Sequence, residues 1–230
     1  MVPLSSSFAP GLAPEKVNSP LVTLLFRTLL LFSGPPRESD IPACLLLHLA
    51  TKFRPHGFEV RLHVDRFDIT LGKQFDASSP AIRFKVYTYL AKGMYDILVA
   101  SPPCNTWSRA PWSRFPGPRP LRDHCYPLGF PWLKGKKKDK AAAGTGMALF
   151  ACRSLAAALS CASPGHHWLP PRVLLEHPED LGATPKGRPA SIWPLPWTKD
   201  LLKAGASRGA VHQCKWKTPY PKPTGLLSNG

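Results

Sequence analysis

Acidic side chains are scarce in this sequence of 230 residues. It contains 14 Asp and Glu against 30 Lys and Arg, which leaves a formal net charge of +16 at pH 7. Such an excess of positive charge disfavours cationic ligands and favours an anionic partner, and for a basic domain nucleic acid is the most common one. The alternative is a basic protein whose charge serves only its solubility.

Paired cysteines and long apolar runs are also missing. The six cysteines form no Cys-x-x-Cys pair, so neither a disulfide scaffold nor a zinc ribbon is expected. The predicted setting is reducing and intracellular: nuclear in a eukaryotic host and cytoplasmic otherwise. The apolar run Leu21–Phe32 contains Arg27 and is too short to cross a bilayer. It lacks the flanks of a signal peptide, so no membrane association is expected.

The chain divides into a short tail and one domain. Residues 1–20 are rich in Ser and Pro and are predicted to be disordered, whereas residues 21–230 are predicted to form a single domain. Apolar, β-rich runs predict strands over Val22–Phe32, Phe58–Val64, Tyr95–Ala100 and Arg172–Glu176. Helices are predicted over Ile41–Lys52, Pro80–Leu90, Ala141–Cys161 and Thr198–Ala204.

This alternation of strands and helices predicts an α/β fold with a mostly parallel sheet covered on both faces. Ala210–Lys215 and Thr224–Leu227 are predicted to add a C-terminal antiparallel hairpin. One long basic loop is predicted over Ser101–Lys140, and a loop of that length inside a domain is usually functional or disordered.

The strongest chemical signal follows the strand Tyr95–Ala100. Pro102 and Pro103 have fixed φ angles and no amide hydrogen, so they end the strand and hold Cys104 on a stiff loop. Ligands and reacting groups of open α/β sheets lie at this carboxyl edge, and a thiol there can act as a nucleophile. A buried structural cysteine beside a turn is the alternative.

Three weaker motifs are predicted at the same edge. Gly34 follows the first strand, where backbone amides can approach a ligand. Asp65 is predicted to end the second strand, where an acid can hydrogen-bond ribose hydroxyls, and Asp68 is a competing candidate. Glu176 leaves a buried strand ahead of Pro178, and partial burial raises the pKa of a carboxyl and suits it to proton donation. The alternatives are an ordinary turn glycine, a solvated loop acid and a turn cap.

The order of these motifs resembles that of the cytosine-5 DNA methyltransferases, and is more closely similar to their small, divergent relatives in phages and mobile elements. The motifs are Phe-Ser-Gly at 32–34, the acid Asp65, Pro-Pro-Cys at 102–104 and Glu-x-Pro at 176–178.

Two longer segments carry the same resemblance. Ser101–Ala110 is similar to the catalytic loop of that group, and the segment from Gln213-Cys214 to Lys222-Pro223-Thr224 to its late motif. The similarity extends from about Leu29 to Asn229.

The resemblance implies a Rossmann-like fold that binds S-adenosylmethionine and methylates cytosine in DNA. The target base would be flipped out of the duplex, with Cys104 attacking its C6 and Glu176 engaging its N3. The implied cofactor pocket lies at the ends of the first three strands and consists of Phe32, Ser33, Gly34, Asp65, Ser101 and Pro102.

The loop 101–140 is predicted to contact nucleic acid, because cations neutralise phosphates and aromatic rings stack on bases. A solvated basic loop is the alternative. Arg109 is also a candidate for lowering the pKa of the Cys104 thiol. The candidate contacts are Trp107, Arg109, Arg114, Lys136, Lys137 and Lys138, with Arg119, Arg122, Lys134, Trp112, Phe115 and Trp132 nearby.

Other functions fit the same residues. An RNA cytosine methylase would use the same chemistry, and a catalytically inactive relic would keep nucleic-acid binding without the cofactor. An amino-methyltransferase is disfavoured, because Ser101 and Cys104 occupy the places of an acidic or Asn residue and a stacking aromatic.

No metal site is expected, since pairs such as His124-Cys125 lack finger-like spacing. With little chain left for target recognition, a fragment, a degenerate copy or a minimal enzyme that relies on a protein partner is expected.

Overall fold

Six strands form a single sheet in the computed structural model, which describes residues 22–37, 40–112, 118–161, 171–216 and 222–230. The predicted disorder of residues 1–20 and the candidate contact Arg114 lie outside these ranges. The strands are β1 (Val22–Leu31), β2 (Phe58–Phe67), β3 (Ile97–Ala100), β4 (Arg172–Pro178), β5 (Ser207–His212) and β6 (Pro223–Ser228).

The strand order is β2-β1-β3-β4-β6-β5. The four strands β1 to β4 pair in parallel, and β6 is antiparallel to both of its neighbours, β4 and β5. The predicted α/β class, a mostly parallel sheet with a C-terminal antiparallel hairpin, is therefore confirmed. Strands β2 and β3 lie on opposite sides of β1, so the chain segments that follow neighbouring strands turn in opposite directions at the carboxyl end of β1. Open sheets bind ligands in the crevice that forms there.

Four helices accompany the sheet in the described ranges: α1 (Ile41–Phe53), α2 (Pro80–Ala91), α3 (Gly135–Ser160) and α4 (Pro196–Lys203). The Asp40 carboxylate caps α1 by accepting a hydrogen bond from the Ala43 amide, and Pro42 lies in the first turn, where its missing N–H costs no helical hydrogen bond. The helix predicted over Ile41–Lys52 is thus confirmed.

The core lies between the central strands and α3. Its fully buried side chains include Leu29, Leu98, Phe150, Leu155 and Leu175, each of which contributes about 1.5–3 kcal/mol through apolar burial. By length and composition α3 is apolar enough to span a membrane. In this fold, however, Phe150 and Leu155 are packed into the protein core, as in the core helix of a soluble domain.

Several predicted boundaries are wrong. Strand β5 spans Ser207–His212 and not Ala210–Lys215, since Gln213–Trp216 form a 3-10 turn, and two further differences bear on the site. Strand β2 continues past Asp65, because its pairing with β1 extends from Val22–Phe58 to Leu31–Phe67. The loop predicted to end at Lys140 ends at Lys134. Helix α3 begins at Gly135, about one and a half turns before its apolar residues begin. Lysine is a good helix former, so Lys136–Lys138 extend the helix although the apolar pattern had not yet started.

Candidate active site

Cys104 lies on a short, well-anchored loop after β3. The Ser101 amide donates to the Leu31 carbonyl (3.0 Å), which extends the pairing with β1 by one residue. Pro102 is then buried and Cys104 is half-buried. The Cys104 carbonyl accepts hydrogen bonds from the amides of Trp107 (2.9 Å) and Ser108 (2.8 Å). One helical turn therefore fixes the backbone directly after the thiol.

A glycine of α3 lets this loop approach the helix closely. A Cβ atom at Gly144 would lie 2.5 Å from Thr106 Oγ1, so only glycine leaves room for the loop. The indole Nε1 of Trp107 donates to the Gly144 carbonyl (3.4 Å), and Trp107 is only 3% exposed. This burial contradicts the predicted surface contact of Trp107 with nucleic acid and makes the residue an anchor of the Cys104 loop.

The buried guanidinium of Arg122 covers the Trp107 ring at 3.8 Å from its centroid. Its nitrogens donate to the Pro127 carbonyl (2.8 Å), the Thr145 hydroxyl (3.0 Å) and the Ala141 carbonyl (2.5 Å). Burial lowers the pKa of Arg122 to about 10, so the group remains charged at neutral pH. A cation against an indole face is favourable, and Arg122 thereby joins the Cys104 loop to α3 rather than facing phosphate.

Glu176 lies near the carboxyl end of β4, opposite Leu226 of β6. Its Oε1 atom is buried and has no hydrogen-bond partner among the described residues. The same atom lies 3.6 Å from Lys222 Nζ, beyond hydrogen-bond distance. A buried carboxylate oxygen that has an ion pair but no hydrogen bond is incompletely satisfied, and a ligand that donated or shared a proton with Glu176 would supply that hydrogen bond.

The charges of Lys222 and Glu176 both act on Cys104. Burial raises the pKa of the Cys104 thiol, the positive charge of Lys222 lowers it and the carboxylate of Glu176 raises it further. The net effect is a raised pKa, so the free protein holds Cys104 mainly as the thiol at neutral pH. Lys222, and not the predicted Arg109, is the cation that stabilises the thiolate.

Sequence reasoning noted Lys222 only as part of a late motif. Because β6 runs antiparallel to β4, the beginning of β6 lies beside the end of β4, and Lys222 precedes β6 directly. The usable signal was a lysine directly before the second strand of a predicted hairpin. The sequence alone does not show that this strand pairs with β4.

His177 follows Glu176 and is fully buried between two indoles. Its ring centroid lies 6.2 Å from that of Trp107 and 6.3 Å from that of Trp193, both nearly perpendicular. Burial, assisted by the charges of Arg122 and Lys222, lowers the pKa of His177 to about 3, so the imidazole is neutral. Within the described ranges neither ring nitrogen has a hydrogen-bond partner.

The acid linked to the glycine turn is Asp68 and not Asp65. The Gly34 amide donates to one Asp68 oxygen (2.9 Å), and the amide and hydroxyl of Thr70 donate to the other (2.9 and 2.6 Å). Although burial raises the pKa of Asp68, these hydrogen bonds lower it below its ordinary value. Asp65 lies within β2 and accepts a hydrogen bond from the Tyr95 hydroxyl (2.7 Å).

Sharp backbone bends shape the turn after β1. Phe32 and Gly34 both have left-handed φ angles, 62° and 70°, which are strained for Phe and natural for Gly. The Phe32 amide donates to the Phe67 carbonyl (3.0 Å), and the Ser33 hydroxyl lies 3.5 Å from a guanidinium nitrogen of Arg66. The turn is therefore tied to the end of β2.

The residues at this turn fit an S-adenosylmethionine molecule. A Cβ atom at Gly34 would meet nothing within 4 Å, so the space beside the turn is open. A carboxylate has about four acceptor positions, and Asp68 uses three of them internally. One position remains for a hydroxyl of a ribose. Ser101 and Pro102 lie beside the turn, since the Ser101 amide bonds to Leu31.

The predicted nucleic-acid contacts divide into two groups. Arg109 donates to the carbonyls of Leu181, Gly182 and Ala183 (3.0–3.2 Å) and so ties the Cys104 loop to the segment after β4. By contrast, Lys136, Lys137 and Lys138 are exposed in the first turn of α3. The lysines are therefore the more accessible of these two groups to an outside partner.

Comparisons with known proteins give one named structural similarity. No protein-family model and no curated protein sequence matches the chain. Among solved structures, the S. pombe Dnmt2 methyltransferase aligns with 89% of this chain at 14% sequence identity and a TM-score of 0.36. The alignment covers 51% of the Dnmt2 chain, so the protein spans about half the length of that structure.

Proposed function

We propose that this protein transfers a methyl group from S-adenosylmethionine to C5 of cytosine in a nucleic acid, with DNA as the first substrate to test. The observation that carries the proposal is the convergence of Cys104, Glu176 and Lys222 beside the carboxyl ends of β3 and β4. A thiol can attack a cytosine ring, a carboxyl group can protonate it, and an ammonium group can stabilise the thiolate.

The first step assigns the nucleophile to Cys104. Its thiol loses its proton to solvent water, and the sulfur forms a bond to C6 of the cytosine. The ammonium group of Lys222 favours the thiolate. The electron pair of the C5–C6 double bond moves to C5, which becomes the carbon that accepts the methyl group.

Glu176 carries the second role. As C6 is attacked, negative charge develops on the ring at N3, and a carboxylic acid beside N3 can donate a proton there. The buried, unpartnered Oε1 of Glu176 would gain its missing hydrogen bond in this arrangement. Lys222, 3.6 Å away, would hold the carboxylate that remains after the donation.

The cofactor would be held at the β1 turn by Phe32, Ser33, Gly34 and Asp68, next to Ser101 and Pro102 of the Cys104 loop. When bound, it supplies a methyl group on a positively charged sulfur. C5 would take that methyl group as the bond between the methyl carbon and the cofactor's sulfur breaks, which would leave S-adenosylhomocysteine. A base would then remove the C5 proton, N3 would return its proton to Glu176, and the electron pair left on C5 would expel the sulfur of Cys104 from C6. Methylated cytosine and the free thiol are the products.

Covalent trapping tests the proposal directly. DNA that contains 5-fluorocytosine cannot lose a proton from C5, so the bond between Cys104 and C6 should persist through denaturation. We expect a cofactor-dependent adduct that peptide mass spectrometry locates on Cys104. Cys161→Ser is the matched control, because Cys161 is also half-buried but lies outside the site. Full methylation by a Cys104→Ala variant would refute the mechanism.

The same experiment separates the remaining alternatives. An adduct with RNA containing 5-fluorocytidine and none with DNA would make the protein an RNA methylase. The absence of both adducts, with no binding of S-adenosylmethionine in calorimetry, would indicate a relic that keeps the fold without catalysis.

A further inference from the structure

A cleft of about 850 Å³ lies between the segment after β3 and the beginning of α3. None of Cys104, Glu176 and Lys222 lines it. We call it the aromatic-basic cleft and define it by the aromatic residues Trp112, Phe130 and Trp132 and the basic residues Lys134, Lys136 and Lys137. Neither the proposed methyl transfer nor the cofactor turn uses these side chains.

One wall of the cleft is a stack of aromatic rings. The rings of Phe130 and Trp132 are parallel to within 10°, with centroids 4.7 Å apart, and Tyr126 meets both rings edge-on at 6.0 and 5.5 Å. Trp132 is 63% exposed. An indole this open to solvent is unusual in a folded domain and presents a flat apolar face to a partner.

The stack is held in place by its backbone. The Phe130 amide donates to the Leu121 carbonyl (3.0 Å), the Leu133 amide to the Phe130 carbonyl (3.2 Å) and the Gly129 amide to the Tyr126 carbonyl (3.1 Å). Gly129 has a left-handed φ of 124°, which suits the turn to glycine. A partner therefore meets rings that are already oriented, which lowers the entropic cost of binding.

Trp112 lines the cleft from the side of the Cys104 loop. A Cβ atom at Gly187 would lie 2.6 Å from the Trp112 ring, so glycine at that position lets the indole approach the backbone closely. Gly187 is fixed in turn by reciprocal hydrogen bonds with Thr184 (2.8 and 3.1 Å). The cleft thus has aromatic groups on two sides.

The charge of the cleft has one sign. Among the described residues, its lining includes Arg119 and Lys186 besides Lys134, Lys136 and Lys137, and no acidic residue. No acidic side chain lies in the first turn of α3 either. Such a lining selects a polyanion, and the exposed aromatic faces further select an anion that carries flat rings.

We propose that the aromatic-basic cleft binds an unpaired segment of nucleic acid, independently of the Cys104 chemistry. One or more bases stack on the Phe130–Trp132 face, and the neighbouring phosphates bind the lysines. A paired duplex keeps its base faces inside its own stack, so only single-stranded or locally opened nucleic acid can use the rings. Stacking without base-edge hydrogen bonds makes this site tolerant of sequence.

Fluorescence anisotropy of the full chain with labelled oligonucleotides tests the assignment. The probes are a twelve-residue oligothymidylate, an abasic strand of the same length and charge, and a duplex of twelve base pairs. Base stacking contributes about 1–3 kcal/mol per base, and every 1.4 kcal/mol is about tenfold in affinity. We expect the oligothymidylate to bind about tenfold more tightly than the abasic strand and also more tightly than the duplex.

Trp132→Ala should remove this preference by weakening oligothymidylate binding about tenfold while leaving abasic binding unchanged. Phe84→Ala is the matched control, since Phe84 is 74% exposed on α2 and outside the cleft. Because Trp132 is already exposed, its loss should leave the melting temperature nearly unchanged. Equal binding of the thymidylate and abasic strands, or no effect of Trp132→Ala, would reduce the cleft to a general polyanion surface and overturn the proposal.

The lysines are tested by salt dependence. Lys136→Ala with Lys137→Ala should flatten the dependence of log affinity on log salt by about 0.7 per residue for single strands, for both probes alike. Lys199→Ala with Lys203→Ala on α4 is the control pair, and an equal change there would refute a local site. Cys104→Ser should retain oligothymidylate binding, so failure of covalent trapping and failure of the cleft proposal are distinguishable.

Discussion

The Cys104 site and the aromatic-basic cleft differ in how far the protein buries their aromatic side chains. Around Cys104 the rings are buried: Trp107 lies under Arg122, and His177 lies between Trp107 and Trp193. In the cleft Trp132 is open to solvent, and the lining lysines have no acidic neighbour in it. The first region is built to hold one geometry, and the second to accept an outside partner.

This difference places the proposed methyl transfer and the proposed binding of nucleic acid in separate parts of one domain. The residues that would react lie among groups whose positions are fixed by sheet pairing and by α3, as catalysis requires. The groups that would bind a chain of phosphates and bases lie at the start of the same helix. Variants that disturb only one region should therefore leave the other intact.

The largest expected effect concerns Glu176. Glu176→Gln keeps the shape of the side chain but removes its acid, and methyl transfer should fall by about 100-fold or more, as is typical for loss of a general acid. Oligothymidylate binding to the cleft should not change. Single-turnover methylation and anisotropy on the same preparation measure both, and a parallel loss of binding would mean that the two regions are one site.

Two glycines of α3 provide the next comparison. Gly144→Ala would place a methyl group 2.5 Å from Thr106 Oγ1, and such overpacking costs about 1–3 kcal/mol and should displace the Cys104 loop. Gly146→Ala meets only Arg83 at 3.6 Å and should gain about 1 kcal/mol of helix propensity. Urea unfolding should therefore give opposite signs, and equal effects would show that the loop does not rest on Gly144.

A smaller effect tests the charges around the thiol. Since the pKa of Cys104 is raised, its alkylation by iodoacetamide should accelerate as pH rises above neutral and more thiolate forms. Lys222→Ala should move this profile to higher pH and Glu176→Gln to lower pH. Peptide-resolved mass spectrometry separates Cys104 from the exposed Cys125, which is the internal control. Shifts of the same sign would place one of the two charges elsewhere.

The smallest effect should appear at the start of α3. The positive end of a helix dipole disfavours lysine there, so Lys136→Glu with Lys137→Glu should stabilise the fold by about 0.3–1 kcal/mol for each residue. The same variant should lose most of its oligothymidylate binding. Thermal melting and anisotropy measure the two changes, and a variant that is both less stable and fully able to bind would contradict the assignment.

Local sequence patterns predicted most of the fold and half of the site. Strand and helix positions followed from the apolar periodicity, and the prolines after β3 were enough to place Cys104 at the carboxyl edge. The place of Glu176 at the same edge could be predicted for the same reason, because its strand is short and apolar and ends at Pro178. These features are each contained within about ten residues.

The remaining assignments depend on contacts that are distant in sequence. Asp68 replaces Asp65 because the length of β2 is decided by its pairing with β1. Lys222 enters the site because β6 lies between β4 and β5. The burial of Trp107 depends on a glycine of α3 that lies 37 residues away. No short sequence pattern predicts these long-range contacts.

The place of β6 has a consequence for how the protein is made. It follows the other five strands of the sheet in sequence, yet it pairs on both sides within the sheet. Until it leaves the ribosome, β4 has an open edge and Lys222 is absent from the neighbourhood of Cys104. The Cys104 thiolate therefore gains the stabilising charge of Lys222 only after translation has delivered β6.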